Sequence, residues 1–213
     1  MKVVDDFAKL GLPLEMKSML LIEQDGPAEV VNRDIEQIAT IAQEHGAAGV
    51  EVASTPEEGA KLLAARRAAL SALSRLKPTT ILEDATVPRS RLAEMVEEVE
   101  RVAEKYGVQI CTFGHAGDGN LHPTCMTDER NREEIERVEK AFEEIFHAAI
   151  RLGGTITGEH GVGLAKKDFL HLKTGEAGLE LMQRLKAAFD PNGILNPGKI
   201  VNFTNRRRLV VQR

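Results

Sequence analysis

Apolar side chains recur at intervals of three and four residues in several stretches of the chain, which is the spacing of one face of an α-helix. Local start and stop signals, such as Thr55 in a capping box and Gly107 after an apolar stripe, support these helices. The predicted helices are residues 27–45, the segment that follows Thr55, residues 90–107, residues 129–152 and residues 176–189.

Short apolar runs of strand length lie between the predicted helices. These runs are residues 19–23, 49–53, 80–84, 108–113 and 121–126. In chain order they give two strand–helix–strand units joined by a further helix. Two such units packed in one sheet form an α+β fold of the ferredoxin-like type, with an antiparallel sheet and helices packed on it. We predict this fold class.

The composition is that of a globular protein and narrows the function. Of the 213 residues, 42% are hydrophobic and 29% are charged, and no run approaches the ~18 consecutive apolar residues of a membrane span. A net charge of −5 and 4% aromatic residues disfavour nucleic-acid binding, which needs a basic face and stacking rings. Cys111 and Cys125 suit a reducing compartment. We expect a cytoplasmic protein, or one peripheral to the inner face of a membrane.

The segment of residues 114–122 joins two predicted strands, and Asp118-Gly119 at its centre is a hairpin signal. A two-residue turn there places His115 directly opposite His122, with Cβ atoms about 4.5–5.5 Å apart on one face of the sheet. Two imidazoles in that arrangement can bind one metal ion. The alternative is a glycine-rich hairpin in which each histidine bonds to a backbone carbonyl, and the spacing alone leaves both interpretations open.

Five glycines between Gly153 and Gly163 surround Glu159 and His160. Glycine lets the backbone adopt unusual conformations and approach a ligand closely. The spacing matches neither a Walker nor a dinucleotide-binding pattern, so a nucleotide loop is disfavoured. One carboxylate and two imidazoles are a common ligand set for zinc, manganese or iron. Glu159 completes such a set if the fold brings this segment to the histidine hairpin.

Three motifs together resemble the C-terminal domain of FAD-linked oxidases. The motifs are residues 114–122, residues 158–163 and residues 189–199. The family includes the flavin-bearing subunit of bacterial glycolate oxidase and has D-lactate and D-2-hydroxyglutarate dehydrogenases as relatives. The resemblance runs from about residue 3 to 201, and implies a substrate and metal domain over residues 1–201 and a C-terminal tail over 202–213. It also implies that the family's N-terminal FAD-binding domain is absent from this chain.

The resemblance implies a divalent metal, zinc, manganese or iron, bound by three side chains. These metal ligands are His115, His122 and Glu159. The adjacent His160 contacts the substrate hydroxyl in the family, which makes it the candidate catalytic base.

Further roles follow from the same resemblance. Asn120 helps to hold the substrate, Arg66 binds the substrate carboxylate, and Asn196 lies near the FAD. Arg67 is the alternative if the alignment is displaced by one residue. A lysine that binds the second carboxylate in the 2-hydroxyglutarate enzymes aligns with Leu82, which favours a monocarboxylate substrate.

The implied function is oxidation of a small 2-hydroxy acid, glycolate or D-lactate, by an FAD bound mainly outside this chain. The implied partners are a FAD-binding domain or chain and other glycolate oxidase subunits, including an iron–sulfur subunit. The chain alone is expected to bind metal but to be inactive as an oxidase. The alternatives are a free-standing metal-binding module, a protein with a structural or interaction role, and a metal-dependent hydrolase in which the cluster activates water.

Overall fold

The chain forms two compact units, Met1–Leu76 and Lys77–Arg213. The computed structural model describes residues 2–9, 11–12 and 14–201, so the predicted tail of residues 202–213 lies outside the described residues. The first unit contains helices α1 (Lys2–Ala8), α2 (Ala28–Glu44) and α3 (Pro56–Leu73).

Helix α3 begins where its sequence predicts. The Thr55 hydroxyl accepts a hydrogen bond from the Glu58 amide at 3.2 Å, and the Glu58 carboxylate accepts one from the Ser54 amide at 2.7 Å. These bonds satisfy amides that the first turn of a helix leaves without partners. The helix packs against α1 and buries mainly small residues, namely Ala65, Ala69, Ala72 and Leu73.

Two of the predicted strands are wrong. Residues 19–23 and 49–53 are not assigned to any strand in the described part of the chain, and Leu20 is 67% exposed. An apolar run becomes a strand only when a neighbouring segment completes its backbone hydrogen bonds. The described residues pair no segment with either run, so local composition alone is insufficient here.

The second unit contains an antiparallel sheet and three longer helices. Its strands are β1 (Thr79–Leu82), β2 (Ala85–Thr86), β3 (Gln109–His115) and β4 (Asn120–Thr127). Its helices are α4 (Leu92–Tyr106), α5 (Arg132–Arg151) and α6 (Leu170–Phe189). Gly107 ends α4 with a φ of 60°, as predicted, and α6 is kinked at Gly175.

Strand β4 is central, with β3 on one side and β1 and β2 on the other. β1 and β2 share one register on β4, and the two residues between them, Glu83 and Asp84, lie opposite Pro123 and His122. Pro123 has no N–H to donate at this interruption. A bridge between Thr86 and Thr155, outside these four strands, pairs residue 155 with the edge of β2. The chain order strand–α4–β3–β4–α5–bridge is that of a ferredoxin-like fold, so the predicted fold class is confirmed.

The core of the second unit lies between the sheet and helices α4 and α5. Leu121 and Cys125 of β4 belong to this core. Successive side chains of a strand point to opposite faces, so His122, which follows Leu121, lies on the face of the sheet away from the core. That face is where the predicted chemistry lies. Among the helices of the described residues, none combines the length and apolar character that crossing a bilayer requires.

Glu144 joins α5 to α4 and makes stability depend on pH. Its carboxylate accepts hydrogen bonds from Lys105, Arg101 and Tyr106. Lys105 and Arg101 lower the pKa of Glu144 from 4.5 to about 2. A lowered pKa adds stability above the ordinary pKa, and this contribution is lost as the pH falls through the folded-state pKa.

We therefore expect Glu144→Gln to lower the free energy of unfolding at about pH 7. The difference in stability between the variant and the unsubstituted chain should shrink steadily below about pH 4.5. In that range Glu144 becomes protonated in the unfolded protein while it is still ionised in the folded protein. Urea denaturation followed by circular dichroism at several pH values measures this difference. A difference that stays constant down to about pH 3 would contradict the assignment.

Candidate metal centre

The turn between β3 and β4 is wider than predicted. Residues 116–119 form the turn, and the amides of Asp118 and Gly119 both donate to the carbonyl of His115. His115 consequently pairs with Asn120, so the predicted opposition of His115 and His122 is wrong. The Asp118 carboxylate accepts a hydrogen bond from the Asn120 amide at 3.0 Å, which stabilises the wider turn.

The two histidines nevertheless share a face of the sheet. The pairing differs from the prediction by two residues, and side chains on a strand alternate with a period of two. His122 pairs with Phe113, two positions before His115. The imidazole rings of His115 and His122 have centroids 5.4 Å apart in an edge-to-face arrangement.

The loop after α5 brings Glu159 to these histidines. Its start is fixed by two hydrogen bonds between the backbones of Thr86 and Thr155, at 3.1 and 2.8 Å. Oε1 of Glu159 lies 3.1 Å from Nε2 of His122. One possible ligand atom from each of His115, His122 and Glu159 lies within 4.8 Å of the others. The structure thus brings the two motif segments together.

This cluster has the ligand composition of a site for a divalent metal. Metal bonds of about 2.0–2.2 Å place neighbouring ligand atoms about 3–4 Å apart, and the His122–Glu159 pair already has that separation. His122 is buried whereas His115 and Glu159 are exposed, so the cluster is open to solvent on one side. The Nδ1 atom of His122, on the other side of the ring from Nε2, is buried without a hydrogen-bond partner in the described residues.

The electrostatic surroundings of His122 favour a neutral ring. Burial lowers the pKa of His122, and the carboxylate of Glu159 only partly offsets that effect. The neighbouring rings of His160 and His115 lower the pKa further. Neutral imidazole is the form that binds a metal, so these surroundings are compatible with a metal ligand at this position.

His160 lies beside the cluster, with one ring nitrogen toward each of two carboxylates. Its ring stacks on that of His122, with centroids 5.0 Å apart and an angle of 9° between the planes. Nδ1 lies 3.6 Å from Oδ1 of Asp84, and Nε2 lies 3.6 Å from Oε1 of Glu159. The side chain is 33% exposed, which leaves the ring accessible to a small molecule.

Asn120 is a buried polar residue that contacts the loop carrying Glu159. Its Oδ1 accepts a hydrogen bond from the Thr86 hydroxyl at 2.9 Å. Gly158 packs against this pair so closely that a Cβ atom there would lie 2.2 Å from the Thr86 hydroxyl oxygen. Glycine is therefore required at this position, directly before Glu159.

Asp84 and Lys166 are residues beside the cluster that the sequence alone does not reveal. Both are buried, with 0% and 2% of their surface exposed. The Asp84 carboxylate accepts hydrogen bonds from Lys166, from the Thr157 hydroxyl and from backbone amides of the Glu159 loop. Burial alone would raise the pKa of Asp84, but these hydrogen bonds outweigh it and hold the pKa well below its ordinary value.

The only sequence signal for this pair is an acidic residue at the end of an apolar run of strand length. Lys166 carries no signal, because Lys167 beside it has the same chemistry and nothing local shows which one is buried.

The remaining predicted residues are Arg66, with Arg67 as its alternative, in the first unit and Asn196 in the second. Arg66 is half-buried on α3 of the first unit, and Arg67 is exposed. Asn196 is exposed in the second unit and has a φ of 45°. The segment that follows it is tied to the Glu159 loop, since the Ile200 amide donates to the Gly163 carbonyl at 2.9 Å.

The fold and the site define an α+β domain that presents an open cluster of two histidines and a glutamate. Residues 1–200 match the family described as FAD linked oxidases, C-terminal domain. The chain belongs to this family.

Curated relatives agree with this assignment. The chain is 60% identical over 211 residues to glycolate oxidase subunit GlcD of Bacillus subtilis, covering 99% of this chain and 45% of the relative. It is 33% identical to GlcD of Escherichia coli K12, covering 96% and 41%. It is 37% identical to a D-lactate dehydrogenase of Anaerostipes hadrus, covering 87% and 40%. The chain thus spans less than half the length of these relatives.

A solved structure shares the fold. The 4-ethylphenol oxidase from Gulosibacter chungangensis, in complex with isoeugenol, superimposes with a TM-score of 0.59 at 19% identity. The superposition covers 83% of this chain and 37% of that one. At this identity, the likeness supports the fold alone.

Proposed function

We propose that this chain is the substrate- and metal-binding part of a FAD-dependent dehydrogenase of small 2-hydroxy acids, glycolate or D-lactate. The observation that carries the proposal is the convergence of His115, His122 and Glu159. The names of the relatives, glycolate oxidase subunit and D-lactate dehydrogenase, support the substrate class. Leu82, where the 2-hydroxyglutarate enzymes carry a lysine, favours a substrate with one carboxylate.

His115, His122 and Glu159 would hold the divalent metal. Such a metal, when bound, acts as a Lewis acid that lowers the pKa of a coordinated hydroxyl group. Zinc, manganese and iron all suit this mixed nitrogen and oxygen ligand set.

His160 is the proposed base for the substrate hydroxyl. It accepts the proton at Nε2, the nitrogen on the Glu159 side, while Nδ1 is directed toward the buried carboxylate of Asp84. An imidazole is suited to this step because its ordinary pKa lies near neutrality.

Two further residues are proposed from the family resemblance. Arg66 binds the substrate carboxylate, since a guanidinium can hold a carboxylate through paired hydrogen bonds. Asn120 holds the substrate, and its contact with the glycine before Glu159 supports a place at the site. A bound FAD would supply the acceptor for the hydride of the substrate α-carbon, which Arg66 and Asn120 would hold in place.

The FAD is proposed to be bound mainly by another domain or chain, with Asn196 nearby. The C-terminal run supports a docking role because it exposes large apolar side chains. Phe189 is 83% exposed, Ile194 is 72% exposed and Leu195 is 57% exposed. Clustered exposed apolar surface is typical of interaction sites.

Other glycolate oxidase subunits, including an iron–sulfur subunit, are further proposed partners. The proposed location is the cytoplasm or the inner face of the membrane.

Calorimetric titration of the purified chain with glycolate or D-lactate tests the proposal. We expect binding that requires added manganese, zinc or iron and disappears with a chelator. Acetate and propionate, which lack the α-hydroxyl, should bind at least about tenfold more weakly, the equivalent of one good hydrogen bond. The chain alone should be colourless and should not reduce a dye acceptor.

Two results would contradict this function. One is hydroxy-acid binding that is unchanged after metal removal and in the Glu159→Ala variant. The other is stoichiometric FAD on the purified chain together with dye reduction.

A further inference from the structure

Asp84 occupies a special position in the sheet. The common register of β1 and β2 on β4 puts it directly across from His122, on the face away from the helical core. Glu83 beside it donates its amide to the Pro123 carbonyl at 3.1 Å, but Pro123 cannot donate in return. The strand is interrupted at this point, and the Asp84 side chain is available for the loop that carries Glu159.

The Asp84 carboxylate gathers consecutive amides of that loop. Its Oδ2 atom accepts from the backbone N–H groups of Gly158, Glu159 and His160 at 2.7, 2.8 and 3.2 Å. The Thr157 hydroxyl donates to both carboxylate oxygens at 3.0 Å. The amides of Glu159 and His160 belong to the two peptide planes that flank the Cα atom of Glu159. Fixing both planes fixes the direction in which the Glu159 side chain leaves the backbone.

Lys166 offsets the cost of burying the charged Asp84 carboxylate. Its ammonium group donates to the Asp84 carboxylate and, at 3.0 Å, to the Asp84 carbonyl, and it pairs with Glu83 at 3.0 Å. A buried ion pair is weak evidence for a stabilising role, because apolar residues of similar volume often stabilise a fold as well. An apolar pair could not orient amide groups, so the arrangement needs an explanation beyond stability.

We infer that Asp84, charge-balanced by Lys166, is a positioning residue that aims Glu159 and His160 at the histidine cluster. Asp84 acts through these two residues and through the loop backbone. The inference rests on the proposed function, because it assigns Asp84 a part in forming that metal site. Outer contacts that orient metal ligands typically contribute about 10–100-fold to metal affinity.

Asp190 provides a matched control in the same unit. It is buried, and its carboxylate accepts from the amides of Ile194 and Leu195 at 3.1 and 2.9 Å and from Lys186 at 2.8 Å. The hydrogen bonds of Asp190 therefore resemble those of Asp84 but organise a different turn. Asp190→Asn should disturb local structure without reaching the metal cluster.

The experiment compares Asp84→Asn and Asp190→Asn by cobalt(II) titration of the folded chain, followed by absorption. We expect Asp84→Asn to weaken cobalt binding about 10–100-fold and Asp190→Asn to leave it within about twofold. Urea denaturation of both variants shows whether a loss of affinity exceeds what destabilisation explains. Amide hydrogen exchange at residues 158–160, measured without metal, should accelerate in Asp84→Asn alone.

Thr157→Val serves if Asp84→Asn does not fold. It removes one donor to Asp84 while keeping the Asp84–Lys166 pair, and should weaken cobalt binding and loosen the same amides, with Thr157→Ser restoring both. Unchanged cobalt affinity and unchanged exchange in the folded Asp84 or Thr157 variant would overturn the inference.

If the native chain binds no cobalt, the proposed metal site fails. Amide exchange then decides whether Asp84 orients the loop: selective acceleration at residues 158–160 supports this, and unchanged exchange overturns it.

Discussion

Replacing His122 with alanine is expected to abolish stoichiometric metal binding by the chain. His122 is the buried member of the cluster, and its Nε2 atom lies 3.1 Å from the Glu159 carboxylate. Loss of an outer contact typically weakens metal binding about 10–100-fold, so loss of a direct ligand should have an effect of about 100-fold or more. Elemental analysis of dialysed protein, with calorimetric titration of zinc and manganese, measures the change.

His147→Ala is the control for this substitution. His147 lies exposed on α5 and is not a member of the cluster. The His147→Ala substitution removes an imidazole from the surface and leaves the proposed ligands unchanged, so the metal content should stay near that of the native chain. Equal metal content in the native, His122→Ala and His147→Ala proteins would exclude His122 as a ligand.

Gly154→Ala is expected to destabilise the second unit by about 3 kcal/mol or more, at the upper end of overpacking effects. A Cβ atom at Gly154 would lie 2.0 Å from the Thr86 carbonyl oxygen and 2.9 Å from that of Ala149. Both contacts are with backbone, which cannot move away as a flexible side chain can. The clash falls on the Thr86–Thr155 bridge that starts the Glu159 loop, so metal binding should be lost along with stability.

Gly117→Ala is the matched substitution in a glycine whose surroundings are open. A Cβ atom at Gly117 would have no neighbour within 4 Å. Its effect on the free energy of unfolding should stay within about 0.5 kcal/mol, as for ordinary surface changes. Urea denaturation of both variants gives the comparison. Similar stabilities for Gly154→Ala and Gly117→Ala would contradict the close packing of Gly154 against the Thr86 and Ala149 backbone.

The sequence predicted the elements whose signals are local. Gly107 ends α4, and Thr55 begins α3, because each residue acts on backbone groups within one helical turn. The strands at residues 19–23 and 49–53 were predicted wrongly, since pairing depends on a distant segment that composition does not specify.

In the site, the predicted pairing of β3 and β4 is wrong, but the prediction that His115 and His122 share a face of the sheet is correct. The turn is two residues wider than predicted, yet His115 and His122 remain on one face, because a shift of two preserves the alternation. Asp84 could not be predicted, because its partners are amides more than seventy residues away, at positions 158 to 160. Lys166 likewise acquires its role only through burial against Asp84.

Anomalous X-ray diffraction from crystals of the chain grown with manganese(II) or cobalt(II) shows whether His115, His122 and Glu159 bind one metal ion. We expect one strong anomalous peak about 2.0–2.3 Å from a ring nitrogen of His115, a ring nitrogen of His122 and a carboxylate oxygen of Glu159. A peak bound by other residues, or no peak at this cluster at saturating metal, would contradict this prediction.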